Sequence, residues 1–199
     1  MHGLLFSHVL WYMHASSLHF FRGRLEAHVP VGGRVLEVGS GHGLLLYLAL
    51  TDFRLSEAHA WDLSEVSLAQ TKAALALLGG AQRTHFEIRD MHQAPEAAEA
   101  FDLVILSHIL EHLEDPVSAL EHMRHAVGKN GILFVNVPLN APMPDHLFLL
   151  ETPQSAIDLM RRGGFEPIEI ALHTTQAVTL PQALKRRTAV TCSIIAEPA

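Results

Sequence analysis

From residue 34 onward, short apolar runs alternate with amphipathic segments of helical length. Arg34-Val35-Leu36-Glu37-Val38 is a β-prone run that ends in Gly39-Ser40-Gly41-His42-Gly43, and the apolar segment Leu44 to Leu50 follows it as a helix. Ala58-His59-Ala60-Trp61 is a second run, leading into Asp62. Ser64 to Leu78 then reads as a helix capped by the Ser64 hydroxyl and stopped by Gly79-Gly80. Thr84 to Ile88 is a strand that ends at Arg89-Asp90. Phe101 to Leu106 is almost continuously apolar, as a strand must be when helices cover both of its faces. Val117 to Val127 predicts a helix, Gly131 to Val137 another buried strand, and Thr152 to Arg162 a helix closed by Gly163-Gly164. Phe165 to Leu172 and Ala189 to Ala196 supply the last two strands. The alternation predicts an α/β fold: a doubly wound, mostly parallel seven-stranded sheet with helices on both faces.

The first 24 residues fall outside this rhythm. Gly3 to Phe21 is rich in Leu, Phe, Trp and Tyr but is interrupted by His8, His14 and His19. It lacks a basic start and a small-residue cleavage site, so a signal peptide is not expected. Its length could span a bilayer, but the repeated imidazoles make that costly. The expectation is a helical cap or lid over residues 1–24, packed on a cofactor-binding domain over residues 25–199. Composition adds little that changes this picture. With 49% hydrophobic and 18% charged residues, the chain is globular, and a net charge of −7 offers no basic face to nucleic acid. Lys185-Arg186-Arg187 is a short exception. A single cysteine, Cys192, in a strand-like run excludes a disulfide framework and a cysteine-based zinc site. A soluble, cytoplasmic protein is expected, with no nucleic-acid or membrane partner. Oligomeric state is open, a homodimer being one form.

The glycine loop carries the first chemistry. Gly39-x-Gly41-x-Gly43 sits between a strand and a helix, where glycine lets backbone amides approach a ligand closely. It spells neither the dinucleotide fingerprint nor the phosphate loop with its Lys-Ser/Thr pair. Glu37 stands two residues before the first glycine, poorly placed for a pyrophosphate and well placed for an ammonium group. Asp62, after the second strand, can accept from both hydroxyls of an unphosphorylated ribose. Asp90 can accept from an adenine amino group, with Met91 packing on the ring. An amino-acid end, a ribose and an adenine together describe S-adenosylmethionine. The competing reading of both aspartates is a helix-capping or turn role.

In order, Val35-Leu36-Glu37-Val38-Gly39-Ser40-Gly41-His42-Gly43, Asp62, Asp90-Met91, Phe101-Asp102-Leu103-Val104, His108-x-x-Glu111-His112-x-x-Asp115-Pro116, Gly128-x-x-Gly131-x-Leu133 and Gly163-Gly164-Phe165-Glu166 resemble the successive motifs of the class I S-adenosylmethionine-dependent methyltransferases. The resemblance runs over about residues 25–172, with a final strand at 189–196. It implies a Rossmann-like domain that moves a methyl group to a small-molecule acceptor, in secondary metabolism on this reading. It assigns cofactor contacts to Glu37, Gly39, Ser40, Gly41, Gly43, Asp62, Leu63, Asp90, Met91, Ser107 and His108.

His108-Ile109-Leu110-Glu111-His112 also spells H-x-x-E-H, the pattern of an inverted zinc protease. Such a site needs both imidazoles on one continuous helix and a third ligand from a later one. Asp115-Pro116 interrupts the helix, no third ligand is evident, and no metal is expected. His108 reads equally as a strand-end residue making local hydrogen bonds or as a proton acceptor beside the cofactor, whereas His112 reads as packing, with acceptor contact the alternative. Pro138 to His146 follows the fifth strand, at the sheet edge where such folds bind ligands. There Asn140 and His146 are candidate substrate contacts, and Asp145-His146 is the best general-base pair. Trp11 and Tyr12 could close over the site, with Tyr12 a second catalytic candidate, while Phe20 and Phe21 read as packing. Two rival functions remain: a methyltransferase-like enzyme that cyclises or cleaves its own S-adenosylmethionine, releasing methylthioadenosine, and a non-catalytic cofactor-binding partner of another protein.

Overall fold

The computed structural model describes residues 16–93, 100–174 and 179–199. Seven strands form one sheet: β1 (Arg34–Val38), β2 (Glu57–Asp62), β3 (Thr84–Ile88), β4 (Phe101–Ser107), β5 (Val127–Leu139), β6 (Phe165–Thr174) and β7 (Val190–Pro198), in the spatial order β3-β2-β1-β4-β5-β7-β6. The first five run parallel, and β7 pairs antiparallel with β5 and β6. The chain therefore reverses its direction of travel across the sheet between β1 and β4. At such a switch point the loops after adjacent strands part, leaving a crevice at the strands' carboxyl ends.

The continuous apolar runs follow from burial on both faces. Along β4, Val104 and Leu106 point into one core while Leu103 and Ile105 point into the other. The first core also holds residues of α4 (Pro116–Arg124), α5 (Pro153–Arg162) and the short α6 (Leu180–Arg186). The second holds α2 (Leu44–Asp52), part of α3 (Glu65–Leu78) and the helical residues 16–25, α1. On α1, Leu18, Phe21 and Leu25 recur at helical spacing and are buried, with the Phe21 ring 5.0 Å from that of Phe134 and 5.3 Å from that of Phe53. The domain boundary expected between residues 24 and 25 falls inside this helix.

Local signals bound α3 and start α4 where the sequence implies. The Ser64 hydroxyl accepts from the Ser67 amide, and Gly79, at φ 99°, returns its own amide to the Leu75 carbonyl. Asp115 caps α4 and Pro116 occupies its first turn, so the segment before it cannot be continuous with that helix. The helix expected over Val117–Val127 stops instead at Arg124, and β5 begins early, at Val127. The ladder shifts register there, from Phe101 opposite Val127 to Leu103 opposite Ile132. A β-carbon on Gly131 would lie 2.5 Å from the Phe101 carbonyl oxygen, so the irregularity needs glycine. Helix α6 was not expected, because seven residues with a proline in the first turn give too short a periodic pattern. Among the described residues, no helix is long and apolar enough to cross a membrane.

Candidate active site

The loop after β1 is built by its glycines. Gly39, Gly41 and Gly43 all have positive φ, and a β-carbon on Gly39 would stand 2.1 Å from Ile109 Cδ1. Thr71 of α3 donates to the Gly41 carbonyl at 2.8 Å and shares a 3.0 Å hydrogen bond with the Ser40 hydroxyl, pinning the loop to the helix behind it. Gly43 supports the loop from below: its missing side chain admits Thr71 and Leu75, and its left-handed backbone starts α2.

Under this loop lies a cavity of about 390 Å³. Of the expected cofactor residues, it brings together Glu37, Gly39, Ser40, Gly41, Ser107 and His108, and it adds Ser17 and Leu18 of α1, His42 and Asn136. Glu37 is 4% exposed, and its Oε2 has no hydrogen-bond partner among the described residues. Burial pushes its carboxyl up to about 8, an amide contact from Leu46 opposing this only in part. A buried acid left with one empty oxygen at a cavity wall suits a cationic group arriving with a ligand. The α-ammonium of S-adenosylmethionine is such a group, so these residues fit the cofactor that the motifs imply.

Further along the same sheet edge, Asp62 accepts from the Ser64 amide at 2.8 Å and from the Ser67 hydroxyl at 2.7 Å. The capping role and the ribose role are thus compatible, since each carboxylate oxygen retains a second lone pair. Leu63 beside it is 71% exposed, a bare apolar surface for a ring. Asp90 accepts from the backbone amide of His92 and then from its imidazole, which together hold its carboxyl below the usual range. Met91 corrects an expectation: its side chain is 4% exposed and packs in the first core, so it presents no face for adenine. Flanked by Arg89, Asp90, His92 and Gln93, the one apolar side chain of this turn gains most by burial and turns inward.

At the ends of β4 and β5 the backbone is strained. His108 has φ 58° and Asn140 has φ 52°, both in the left-handed region that non-glycine residues seldom adopt. Leu110–His112 is a single 3-10 turn, so His108 and His112 do not share the face of an α-helix. His108 Nδ1 instead donates to Glu111 Oε1 at 3.1 Å. The expected Asp145–His146 pair is not formed. His146 Nδ1 donates to the Ala141 carbonyl at 2.6 Å, while the Asp145 carboxylate faces His112, 3.6 Å away. His112 Nδ1 also donates to the Asp145 carbonyl at 2.9 Å, and its ring meets that of His146 edge to face at 5.1 Å. His112, read from sequence as packing with acceptor contact the alternative, thus joins Asp145 and His146 in one group beyond the ends of β4 and β5. Trp11 and Tyr12 lie outside the described residues.

One further residue belongs to the site. Asn136 is buried inside β5, donates to the Ser107 hydroxyl at 3.0 Å and accepts from Ser193 of β7 at 2.6 Å. This chain fixes Ser107 at the cavity wall. Its only trace in the sequence is a lone amide within Gly131-Ile132-Leu133-Phe134-Val135-Asn136-Val137. Cys192 next to Ser193 is buried and apolar in setting, which pushes its thiol up to about 12 and removes it as a nucleophile.

Residues 36–133 match a family model described as a methyltransferase domain. The chain is 28% identical over 168 residues to the highly reducing polyketide synthase pkhB of Emericella nidulans, an alignment covering 76% of this chain and 6% of that protein. It is 29% identical over 154 residues to the ubiquinone biosynthesis O-methyltransferase of Aromatoleum aromaticum, covering 73% of this chain and 63% of that one. The chain therefore spans less than two thirds of the length of either curated relative. In fold it is similar to a Geobacter sulfurreducens methyltransferase solved with S-adenosyl-L-homocysteine, with a TM-score of 0.68, 15% identity and coverage of 96% of this chain and 98% of that one. It is similar also to the [4+2]-cyclase SpnF, with a TM-score of 0.70, 17% identity and coverage of 89% and 80%. The matched segment, just under half of the chain, runs from β1 into β5 and carries the glycine loop, Asp62 and His108.

Proposed function

We propose that the protein transfers the methyl group of S-adenosylmethionine to a small-molecule acceptor bound between His108, His112 and the loop from Pro138 to His146. The observation that carries the reading is Glu37, a buried carboxylate with one unpartnered oxygen at the wall of the glycine-loop cavity. Glu37 would hold the cofactor's ammonium, the amides of the Gly39–Gly43 loop its carboxylate, and Asp62 its ribose hydroxyls. When bound, the cofactor supplies a methyl group already activated by its sulfonium, so the protein's task is mainly to position two reactants and exclude water. On the acceptor side His146 is held by two local bonds, its amide to the Met143 carbonyl and its Nδ1 to that of Ala141. Its Nε2 is left as a lone pair for activating an acceptor hydroxyl, amine or thiol.

The 14 Lys and Arg residues are scattered in a chain of net charge −7, which supports a small molecule over nucleic acid. The single buried Cys192 suits the cytoplasm. His146→Ala is expected to lower turnover by about a hundredfold while leaving cofactor affinity within about twofold, since the loop does not line the cofactor cavity. Steady-state rates beside calorimetric affinity check this, and unchanged turnover removes His146 from the mechanism. The fold alone does not choose the reaction, as its likeness to a [4+2]-cyclase illustrates. Product analysis does. With acceptor pools, S-adenosylhomocysteine and a product one methyl heavier are expected; methylthioadenosine from cofactor alone would mean cyclisation or cleavage.

A further inference from the structure

Glu111, His112 and His146 each offer one donor atom within 4.8 Å of the others. Three observations set this group apart from a chance gathering. Glu111 is 4% exposed; one of its oxygens takes the His108 imidazole, and the other, Oε2, has no hydrogen-bond partner among the described residues. His112 Nδ1 donates to the Asp145 carbonyl and His146 Nδ1 to the Ala141 carbonyl. Both rings are thereby held in the tautomer whose Nε2 carries a lone pair. Metal-binding histidines are oriented in this way, one ring nitrogen tied to a carbonyl and the other left to the ion. Finally, the two rings come from different elements and meet edge to face at 5.1 Å, although nothing bonds one ring to the other.

We propose that Glu111, His112 and His146 bind one divalent first-row transition cation at the acceptor side of the cavity. Two imidazoles and one carboxylate suit zinc, cobalt, manganese or iron(II) better than magnesium or calcium, which favour all-oxygen shells. The histidine pair spelled by H-x-x-E-H is not the ligand set: His108 is the partner that orients Glu111, and the third ligand comes from the loop after β5. Three protein ligands leave coordination positions open, and His112 is 38% exposed at its side chain, so a small molecule can reach them. Resting on the methyl-transfer reading, but with the His146 lone pair spent on the cation instead of on the acceptor's proton, the cation's role is to hold an acceptor oxygen and ease loss of its proton to water. The resulting oxyanion attacks the methyl carbon; the carbon–oxygen bond forms as the carbon–sulfur bond breaks, and the sulfonium leaves as a neutral thioether. A second cluster, Glu57, His59 and His85, makes a weaker candidate. Both nitrogens of His59 are already taken, by Glu57 at 2.6 Å and Glu87 at 3.3 Å.

The test is titration of the chelator-stripped, untagged full chain with Co²⁺, read by visible ligand-field absorption and by calorimetry, neither of which needs cofactor or acceptor. One Co²⁺ per chain is expected, weakened at least tenfold by His112→Ala and by His146→Ala, with both variants keeping the wild-type circular dichroism and cofactor affinity. No binding by the wild type overturns the proposal. So does binding that survives both substitutions, or that is lost only in His59→Ala. Cofactor affinity measured on the same samples keeps the two readings apart. Co²⁺ binding without cofactor binding would sink the cofactor geometry and leave the metal site standing.

Discussion

Glu37→Gln is expected to weaken S-adenosylmethionine binding about a hundredfold at pH 8 while making the cofactor-free protein more stable at that pH. The two effects have one source. Removing a buried charge that pairs with a ligand cation costs roughly 2–3 kcal/mol of binding, the scale of a charge-assisted hydrogen bond. In the free protein, however, the same charge is a burden, because burial raises the carboxyl to about 8. The folded state then holds a proton that the unfolded state releases near the ordinary carboxylate value. Between that value and about 8 the unfolded chain binds fewer protons, so this group lowers stability as pH rises, by roughly 1 kcal/mol per pH unit. Below the ordinary carboxylate range the group is neutral in both states and its contribution vanishes. Chemical denaturation at pH 5 and pH 8 should show the variant's advantage only at the higher pH. Wild-type cofactor affinity should rise with pH up to about 8, with a proton released on binding below it. A variant that binds normally, or an affinity flat in pH, would remove Glu37 from the cofactor site.

Phe21→Ala is expected to cost about 3–5 kcal/mol of folding stability, the range for truncating a buried phenylalanine. Phe21 is fully buried against Phe53 and Phe134, so α1 has little room to collapse into the void. For a chain of this size the melting temperature should fall by about 10 °C. Cofactor affinity should fall as well, because Ser17 and Leu18 on the same helix line the cavity. Calorimetric melting and cofactor titration of the variant test both parts. A shift of a degree or two would show that α1 is a loose cap and not part of the core.

The residues that were legible in sequence are those whose roles rest on short, local signals. Val35 to Val38 running into Gly39 reads as strand then loop because alternation and glycine act within a few residues. Ser64 and Gly79 bound α3 for the same reason. The regular burial of both sheet faces made Phe101–Leu106 readable without any contact information. What escaped depends on partners distant in sequence. Asn136 matters because Ser107 and Ser193 meet it from neighbouring strands, and the pairing of His112 with His146 exists only once the loop after β5 folds back. Asp145 next to His146 looked like a dyad, but adjacent side chains on a turn diverge, and the Ala141 carbonyl took the imidazole instead. Met91 could have faced ligand or core, and only the packing of the first core decides its direction. The H-x-x-E-H spelling is set aside in sequence on Asp115-Pro116 and the lack of an evident third ligand; its spacing has meaning on an α-helix and loses it on a 3-10 turn that follows a left-handed residue.

The central claim is that the cavity under Gly39–Gly43 holds S-adenosylmethionine with its amino-acid end at Glu37 and its ribose at Asp62. A crystal structure of the protein with S-adenosylhomocysteine tests this most directly. The account predicts ligand density in that cavity, the ammonium in hydrogen-bond contact with Glu37 Oε2, the ribose hydroxyls on the Asp62 carboxylate and the adenine against Leu63. Density that places the ligand elsewhere, or that leaves Glu37 unpartnered beneath a bound ligand, would contradict it.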